Sequence, residues 1–254
     1  MKALLLAAGI GSRLRPITNT IPKCMVPIQG RPLLDIWLEV LVTSGVTEIL
    51  INTHYKAEFI NEYISRSSWK DYVTLFHETN LLGTGGTILA NKKFFREESF
   101  FVAHADNLSR FPFEEFKKSH FVSSKIPIVT MMLFKTDQPE KCGIVRLKDN
   151  FVCEFYEKMN GNFGNLANAA IYIFSPNIFK YLECIDSEQI DISIDLLPLL
   201  LGDINSFLNN DYHIDIGSPA NYLKANNEFF PSSASRQNKK LWKAMSQNLI
   251  LDET

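Results

Sequence analysis

The N-terminal segment joins a short apolar run to a glycine turn that carries cations. The run Lys2–Ala8 passes into Gly9–Leu14, which reads G-I-G-S-R-L, and Lys23 follows Arg13 by ten positions. A short apolar run that ends at glycines is typical of a buried strand followed by a tight turn. Glycines let backbone N–H groups approach an anion closely, and cations neutralise its charge. The segment therefore predicts a phosphate-binding turn at the end of a buried strand.

Leu14 excludes two common phosphate-binding patterns. The dinucleotide pattern G-x-G-x-x-G and the Walker A pattern both need glycine at this position. A glycine pair after an apolar run is also typical of a plain strand-to-helix turn, which needs no cations. Arg13, Arg15 and Lys23 within one connection favour the phosphate-binding interpretation.

The charge balance limits the class of partner. The 254 residues carry a formal net charge of −2, and 46% of them are hydrophobic. A chain of this length can bury a full core as one α/β domain, or as one domain with a small lobe. A general nucleic-acid binder would show a strong basic excess. We therefore expect no nucleic-acid partner and a phosphate-binding charge that is local.

The cysteines and the apolar runs bear on the compartment. No C-x-x-C pair is present, so neither a zinc site nor a disulfide framework is indicated, and we expect a cytoplasmic protein with reduced thiols. No run approaches the roughly 18 apolar residues of a membrane helix, so no membrane partner is expected. The cysteines are Cys24, Cys142, Cys153 and Cys184.

The first half of the chain alternates strand and helix patterns. Near-continuous apolar strands separated by helices predict a mostly parallel sheet that is covered on both faces. Ligands of such sheets bind outside the carboxyl ends of the strands, where the Gly9–Arg15 turn, the Gly83–Gly86 turn and Asp106 would stand. The predicted strands are Lys2–Ala7, Glu48–Asn52, Val73–Phe76, Ser99–Ala103 and Pro127–Phe134, and the predicted helices are Pro32–Ser44, Lys56–Ser65, Gly86–Phe95 and Pro112–His120.

The second half begins with a pattern typical of a β-hairpin. After residue 230 a Ser-rich linker leads into an amphipathic helix that could pack on the body or form a subunit contact in a homodimer; its apolar residues are Leu241, Trp242, Met245 and Leu249. The predicted hairpin strands are Cys142–Leu147 and Phe151–Tyr156. The later strands are Asn168–Phe174 and Tyr212–Ile216, and the helices are Pro176–Leu182, Ile192–Leu201 and Pro219–Phe229.

Two aspartates stand at or near the ends of predicted strands. Asp106 follows the strand Ser99–Ala103, and Asp215 lies in the strand Tyr212–Ile216. Aspartate is unfavourable in strands, so its presence there indicates a function. A turn or helix cap is the alternative for Asp106, and a turn bond to Ser218 is the alternative for Asp215. Two carboxylates brought together could hold one Mg²⁺ against a nucleoside triphosphate.

A series of motifs runs through residues 1–230. They are Leu6-Ala-Ala-Gly-Ile-Gly-Ser-Arg13, Pro22-Lys-Cys-Met-Val-Pro27, Leu82-Gly-Thr-Gly-Gly86, Asp106, Glu157-Lys158, Asn168–Phe174 and Asp215-Ile-Gly-Ser-Pro219. In this order they resemble the signature of the sugar-1-phosphate nucleotidyltransferases. The resemblance implies a Rossmann-like, GT-A-like α/β fold with a mostly parallel sheet flanked by helices and a small sugar-binding β region. It divides the chain into a nucleotide-binding half at about 1–125, a sugar-phosphate-binding half at about 126–230, and a linker and helix at 231–254.

The resemblance also implies a reaction and roles for site residues. A sugar 1-phosphate oxygen attacks the α-phosphorus of a nucleoside triphosphate in line and releases pyrophosphate. Arg13 would clamp the pyrophosphate, Lys23 would bind the reacting phosphates, and Asp106 and Asp215 would hold Mg²⁺. Such a transfer needs positioning and charge neutralisation, so no nucleophilic side chain is expected. The other nucleotide contacts would be Leu6, Ala8, Gly9, Gly11, Ser12, Glu78, Gly83 and Thr84, and the sugar-phosphate contacts Gly143, Glu157, Lys158 and Asn168.

Glu78 determines the predicted base, because the family places base recognition in the segment Glu78–Gly86. Guanine presents two adjacent donors, N1–H and N2–H₂, which an acceptor-only carboxylate complements. The Leu-Gly-Thr-Gly-Gly form also resembles the guanylyltransferases that act on mannose and heptose 1-phosphates. We therefore expect GTP and a sugar 1-phosphate of mannose or heptose type as substrates.

Other functions fit part of the pattern. A uridylyl- or cytidylyltransferase of the same family would act on another sugar or alcohol phosphate. A non-catalytic, nucleotide-sensing paralogue would keep the fold, but we would expect it to have lost Arg13, Lys23 or a metal aspartate. A glycosyltransferase usually carries a D-x-D metal motif, which Asp106-Asn-Leu108 does not supply.

Overall fold

The computed structural model describes residues 1–95, 98–121, 126–232 and 234–251, with side chains up to residue 247. Strands and helices alternate along the chain, as the apolar periodicity predicts. The strands are β1 (Ala3–Leu6), β2 (Pro27–Ile28), β3 (Arg31–Pro32), β4 (Ile49–Thr53), β5 (Val73–His77), β6 (Phe100–His104), β7 (Asn107–Arg110), β8 (Val129–Lys135), β9 (Gly143–Lys148), β10 (Phe151–Glu157), β11 (Leu166–Phe174), β12 (Ile204–Leu208) and β13 (Tyr212–Asp215). The α-helices are α1 (Ile17–Thr20), α2 (Leu33–Thr43), α3 (Ala57–Arg66), α4 (Thr84–Ala90), α5 (Lys92–Phe95), α6 (Phe113–Phe121), α7 (Ile178–Leu182), α8 (Pro219–Glu228) and α9 (Arg236–Leu251).

The chain forms two compact units. The first unit comprises the described residues of Met1–Leu4, Leu81–His104 and Ser109–His213. The second unit comprises those of Leu5–Asn80, Ala105–Leu108 and Ile214–Thr254. The predicted halves at about 1–125 and 126–230 stay a prediction. Within the described part of the chain, no helix has both the length and the apolar character that a membrane crossing requires.

In the sheet, β4 of the second unit lies between β5 and β1, and the last two residues of β1 belong to the same unit. β4 and β5 are parallel, and their register runs from Ile49 opposite Val73 to Thr53 opposite His77. Every residue of β4 is buried, which is typical of a parallel strand that is covered on both faces. This arrangement puts the carboxyl ends of β4 and β5 side by side, next to the segment that follows β1.

Helix α9 packs its apolar face on α3 of the same unit. The ring of Trp242 meets Phe59 and Tyr63 edge-on, at centroid distances of 6.3 and 6.4 Å. Leu241 and Met245 are buried in the same face. The sequence left two alternatives for this helix, packing on the body of the protein or a subunit contact. The structure shows packing on its own chain. Leu249, which completed the predicted face, lies outside the described side chains.

Asp35 on α2 is fully buried at the centre of a polar network. It lies one turn from Arg31, whose Nε donates to Asp35 Oδ2 at 2.5 Å. Burial beside this carboxylate raises the pKa of Tyr63. The donors to Asp35 Oδ1 are Tyr63 Oη at 2.8 Å, Trp69 Nε1 at 2.5 Å and Asn238 Nδ2 at 2.7 Å. The network therefore joins α2, α3 and α9 through one carboxylate.

The first unit contains the larger part of the sheet, in the strand order β6-β11-β8-β12-β10-β9. β8 and β12 are parallel, whereas β11 runs antiparallel to β6 and to β8. The predicted hairpin is confirmed as β9 and β10, with Gly143 opposite Glu157. The α/β class is therefore as predicted, and the parallel strands are joined by antiparallel ones in this unit.

Several elements differ from the sequence-based expectation. The predicted helix Gly86–Phe95 is divided into α4 and α5, and β7 was not predicted. The segment Ile192–Leu201, predicted as an α-helix, is a π-helical turn at Ile192–Leu196 followed by a 3₁₀ turn at Leu197–Leu200. Pro198 lacks the N–H that a continuous helix needs at that position. β12 was not predicted, because its sequence Ile-Asn-Ser-Phe-Leu has a weak apolar pattern.

Candidate active site

The glycine turn after β1 is wrapped around the stem of Lys23. Gly11 has a left-handed backbone with φ 71°, and its carbonyl accepts hydrogen bonds from Leu14 N at 3.0 Å and Thr18 Oγ1 at 2.8 Å. A Cβ at Gly11 would lie 2.9 Å from Lys23 Cβ. Glycine is therefore required here both by the backbone conformation and by the closeness of the lysine.

Lys23 places its ammonium group between two carboxylates. The residue begins a short 3₁₀ turn and is 7% exposed. Its Nζ donates a hydrogen bond to Asp106 Oδ2 and lies 3.5 Å from Asp215 Oδ1. Asp106 follows β6 and Asp215 is the last residue of β13, so both stand at strand ends. Three residues far apart in sequence thus form one charged group in the second unit.

The backbone fixes the two aspartates against each other. Ile216 N donates to the carbonyl of Asp106 at 3.0 Å, and Asn221 Nδ2 donates to the carbonyl of Asp215 at 2.9 Å. Ser218 does not bond to Asp215 as the turn alternative required. Its hydroxyl instead accepts from Asn221 N at 3.2 Å and caps α8.

Burial raises the pKa of the Asp215 carboxyl above its usual value. The charge of Asp106 adds to this rise, whereas the charges of Lys23 and Arg13 oppose it. A half-buried carboxylate with a like charge beside it gains from any further cation, because the cation offsets the repulsion and the lost hydration. The pair is therefore suited to a positively charged partner in addition to Lys23.

Arg13 reaches the same group across Gly217. A Cβ at Gly217 would overlap Asp215 Oδ2 and would lie 3.0 Å from a terminal nitrogen of Arg13. Because Gly217 has no side chain, the Asp215 carboxylate and the Arg13 guanidinium both have room beside it. The structure thus brings together Arg13, Lys23, Asp106 and Asp215, which the sequence singled out separately.

The donor set fits a magnesium ion. Mg²⁺ prefers six oxygen ligands and usually takes one or two carboxylates, with water and substrate phosphates in the other positions. Asp106 and Asp215 supply two carboxylates. Among the described residues, no group of three or more histidines, cysteines or acidic residues could hold a metal ion. The remaining ligands would have to be water and substrate oxygens.

The remaining positions of the turn lie around the same strand end. Leu6 is the last residue of β1, and Ala8 is buried. Gly9 faces open space, since a Cβ there would meet nothing within 4 Å. Ser12 begins a 3₁₀ turn that also contains Arg13.

Glu78 is 3% exposed and directly follows β5. Its Oε1 accepts a hydrogen bond from Asn52 Nδ2 at 2.8 Å, and its backbone carbonyl lies 2.8 Å from His54 Nδ1. Asn52 was not among the predicted site residues. An asparagine in the buried strand β4 is unfavourable for β structure, and that signal could have identified it.

The glycine turn before α4 belongs to the first unit and is held by the segment around Ile190. Gly83 has φ 78°, and a Cβ there would overlap the carbonyl oxygen of Ile190. Gly85 N donates to the same carbonyl at 2.7 Å. Thr84 Oγ1 accepts from Ile192 N at 2.8 Å and donates to Asp191 Oδ2 at 3.3 Å. Asp191 is a second polar residue that the sequence interpretation missed.

The predicted sugar-phosphate residues cluster in the first unit at the hairpin of β9 and β10. Lys158 Nζ lies 2.9 Å from Glu157 Oε1, and the lysine side chain is 66% exposed. A Cβ at Gly143 would lie 2.5 Å from Glu157 Oε2, so glycine leaves room for the carboxylate. Asn168 on β11 donates to Tyr172 Oη at 2.7 Å and accepts from Ala170 N at 2.9 Å. Asn168 thereby stabilises the local irregularity of β11.

The protein therefore combines an α/β fold with a lysine held between two aspartates at strand ends. The chain belongs to the nucleotidyl transferase family, whose model matches residues 2–230.

Its relatives span most of the chain. The mannose-1-phosphate guanyltransferase of Saccharomyces cerevisiae is 31% identical over 98% of this chain and 70% of its own length. The enzyme of the same name from Candida albicans is 30% identical over 100% of this chain and 72% of its own. The crystal structure of HddC from Yersinia pseudotuberculosis complexed with GMP-PN superimposes with a TM-score of 0.75, at 29% identity over 90% of this chain and 99% of that one.

Proposed function

We propose that the protein transfers GMP from GTP to a sugar 1-phosphate of mannose or heptose type and releases pyrophosphate. Two of its relatives are named mannose-1-phosphate guanyltransferases, and the similar HddC structure holds GMP-PN. The observation that carries the proposal is the position of Lys23 between Asp106 and Asp215, with Arg13 beside them. This grouping alternates positive and negative charge, as a site for phosphate groups and a divalent cation requires.

The cations of the second unit would act on the triphosphate. Lys23 would bind the reacting phosphate, because its ammonium is already held rigidly and loses little freedom when the substrate binds. Arg13 would bind the leaving pyrophosphate through the planar guanidinium, which suits two oxygens at once. Neither residue forms a covalent bond to substrate. The rate would arise from positioning and from stabilising charge that develops in the transition state.

Asp106 and Asp215 would hold Mg²⁺. A bound magnesium ion would polarise phosphate oxygens and offset their negative charge. These two residues would also keep Lys23 and the ion in fixed positions relative to each other.

Residues of the first unit would bind the sugar phosphate. The carboxylate of Glu157 can accept hydrogen bonds from sugar hydroxyls, and the exposed ammonium of Lys158 can bind the phosphate. Their mutual ion pair would orient both side chains before the substrate arrives.

Thr84 and the backbone of Gly83 would contact the nucleotide. Glu78, a residue of the second unit, would select guanine because its carboxylate accepts hydrogen bonds from the N1–H and N2–H₂ groups of the base.

We also propose a cytoplasmic location and a homodimeric assembly. No disulfide joins cysteines in the described part of the chain, which is compatible with a reducing compartment. Because α9 covers its apolar face with its own chain, a homodimer would have to use another surface.

The experiment is a grid of pyrophosphate release. The purified protein is incubated with Mg²⁺ and each of GTP, ATP, UTP and CTP, against the 1-phosphates of mannose, heptose, glucose and glucosamine. We expect the fastest release with GTP and either mannose or heptose 1-phosphate. Release in no combination would refute catalysis, and a preference for UTP or CTP would refute the assignment of the base. Omission of Mg²⁺ should abolish release in every combination.

A further inference from the structure

Asn52 joins the glycine turn to the proposed base-reading residue. It lies on β4, between β1 and β5, and is 3% exposed. Its Oδ1 accepts a hydrogen bond from Ala7 N at 2.6 Å, and its Nδ2 donates one to Glu78 Oε1 at 2.8 Å. Ala7 is the first residue after β1, and Glu78 is the first after β5. One amide therefore links two segments of the second unit, the one that follows β1 and the one that follows β5.

The two partners of Asn52 require opposite kinds of hydrogen-bonding group. The backbone N–H of Ala7 can only donate, and the ionised carboxylate of Glu78 can only accept. The amide of Asn52 offers the acceptor and the donor on two separate atoms, Oδ1 and Nδ2, so that both contacts form at once. Aspartate in its place would keep the acceptor for Ala7 and would lose the donor to Glu78. The pair of contacts therefore also fixes which way the amide points.

The bond from Asn52 restricts the carboxylate of Glu78. A glutamate at the end of a strand has three side-chain torsions, and fixing them costs entropy when a ligand binds. A hydrogen bond made before the ligand arrives removes part of this cost, which raises the affinity for a matching ligand. Because guanine is recognised by two adjacent donors, the orientation of the carboxylate decides whether both are bound.

We infer that Asn52 is a positioning residue for base selection: it holds the Glu78 carboxylate in the orientation that accepts both guanine donors. The inference rests on the proposed role of Glu78 in reading the base. It goes further in stating that selection depends on a residue of another strand. The same amide ties this carboxylate to the start of the phosphate-binding turn.

The test compares GTP with ITP, whose base lacks the N2 amino group and keeps N1–H. A charge-assisted hydrogen bond to that group is worth about 10- to 100-fold in kcat/KM. In Asn52→Asp we expect the GTP/ITP ratio of kcat/KM to fall at least about fivefold. The loss should come from a higher KM for GTP, with kcat changed by less than about threefold.

Two further variants serve as references. Glu78→Gln should lower the GTP/ITP ratio in the same way, because it removes an acceptor. Asn205→Asp is the matched control: Asn205 is a buried strand asparagine of the first unit, bonded to Ser119 O at 3.0 Å. We expect Asn205→Asp to lower Tm and to leave the GTP/ITP ratio within about twofold of the unchanged protein.

The double variant Asn52→Asp with Glu78→Gln keeps the test decisive if Asn52→Asp alone does not fold. In this variant the introduced amide would donate to the introduced carboxylate, so the bond between the two positions reforms with its polarity reversed. We expect Tm to recover and the GTP/ITP ratio to stay low, because a single amide oxygen then faces the base.

Three results would overturn the inference. One is a folded Asn52→Asp with an unchanged ratio alongside a lowered ratio in Glu78→Gln, which leaves the role of Glu78 intact. The second is an unchanged ratio in both active single variants, which refutes the role of Glu78 as well. The third is a double variant that recovers Tm and the full ratio together.

Discussion

Lys23 and Asp106 stand 83 positions apart, and the ammonium of the lysine donates a hydrogen bond to the carboxylate of the aspartate. Lys23 is 7% exposed, and a buried ammonium keeps its charge only where anions replace the lost water. The contact therefore has two effects. It stabilises the charged lysine before a substrate is present, and it fixes the position of Asp106 relative to the glycine turn.

We predict that Lys23→Met reduces kcat by at least about 100-fold, the loss typical of removing one group that stabilises transition-state charge. Methionine keeps the length of the stem and removes only the ammonium. Steady-state pyrophosphate release measures the loss, and circular dichroism checks the fold. The exposed Lys70 gives the matched control Lys70→Met, which should keep the activity. Equal activity in both variants would contradict the role of Lys23.

Gly217→Ala should weaken the use of magnesium and leave the fold intact. The new methyl group would overlap Asp215 Oδ2 and crowd Arg13, and a carboxylate at the end of a side chain can move aside without disturbing the backbone. We expect the half-saturating Mg²⁺ concentration to rise about tenfold, which corresponds to about 1.4 kcal/mol. Calorimetric titration with Mn²⁺ offers a readout independent of turnover. Ala220→Ser, at an exposed position nearby, serves as control. An unchanged Mg²⁺ affinity in Gly217→Ala would show that metal binding by Asp215 does not depend on the space beside residue 217.

His120 makes the stability depend on pH. Burial lowers the pKa of this histidine to about 4, and its ring lies 2.9 Å from Thr130 Oγ1 and 3.1 Å from Ser99 Oγ. The unfolded chain takes up the proton below about pH 6.5, whereas the folded protein does not. The free energy of unfolding should therefore be highest above pH 6.5 and fall by about 2 kcal/mol between pH 7 and pH 5.

Urea unfolding at pH 7 and at pH 5 measures how much His120 contributes to the pH dependence of the stability. In His120→Gln the difference in the free energy of unfolding between pH 7 and pH 5 should shrink by about 2 kcal/mol, whatever the variant's own stability at pH 7. The exposed His77 provides the control His77→Gln, which should keep the pH dependence of the unchanged protein. A His120 variant that still loses the same stability at pH 5 would refute the assignment.

Asp35→Asn should destabilise the protein by about 3 kcal/mol, because it leaves Arg31 with less compensating charge in a buried position. The new amide group would also face donors that need an acceptor. The exposed ion pair of Glu62 with Arg66, 51% and 54% exposed, supplies a contrast. Glu62→Gln should cost less than about 1 kcal/mol. Urea unfolding at pH 7 compares the two, and equal losses would contradict the importance assigned to the Asp35 network.

Local patterns carried most of the fold prediction. β1, its glycine turn and the hairpin of β9 and β10 follow from apolar periodicity and turn residues within short windows. The same holds for the position of Asp106 after an apolar strand. These features need only neighbours in sequence, and their boundaries differ from the structure by one or two residues.

The remainder depends on partners far away in the chain. β12 becomes a strand because it pairs with β8 in parallel, which its own sequence does not signal. Asn52 and Asp191 gain their roles from Glu78 and Thr84, so neither stands out from a motif. The Asp191 side chain caps the turn at Ile192–Leu196 by accepting from Ser193 N and Ile194 N, and this contact adds to the interruption of the helix at Pro198.

The Asp35 network extends beyond the C-terminal end of the match to the family model. The family match ends at residue 230, yet Ser232 accepts from Arg31 Nη1 at 3.2 Å and Asn238 donates to Asp35. A truncation at the family boundary would remove both and expose the buried carboxylate side of α2 to water. The match to the family model therefore ends before the residues that complete this network, and an expression clone of the catalytic region has to extend through α9.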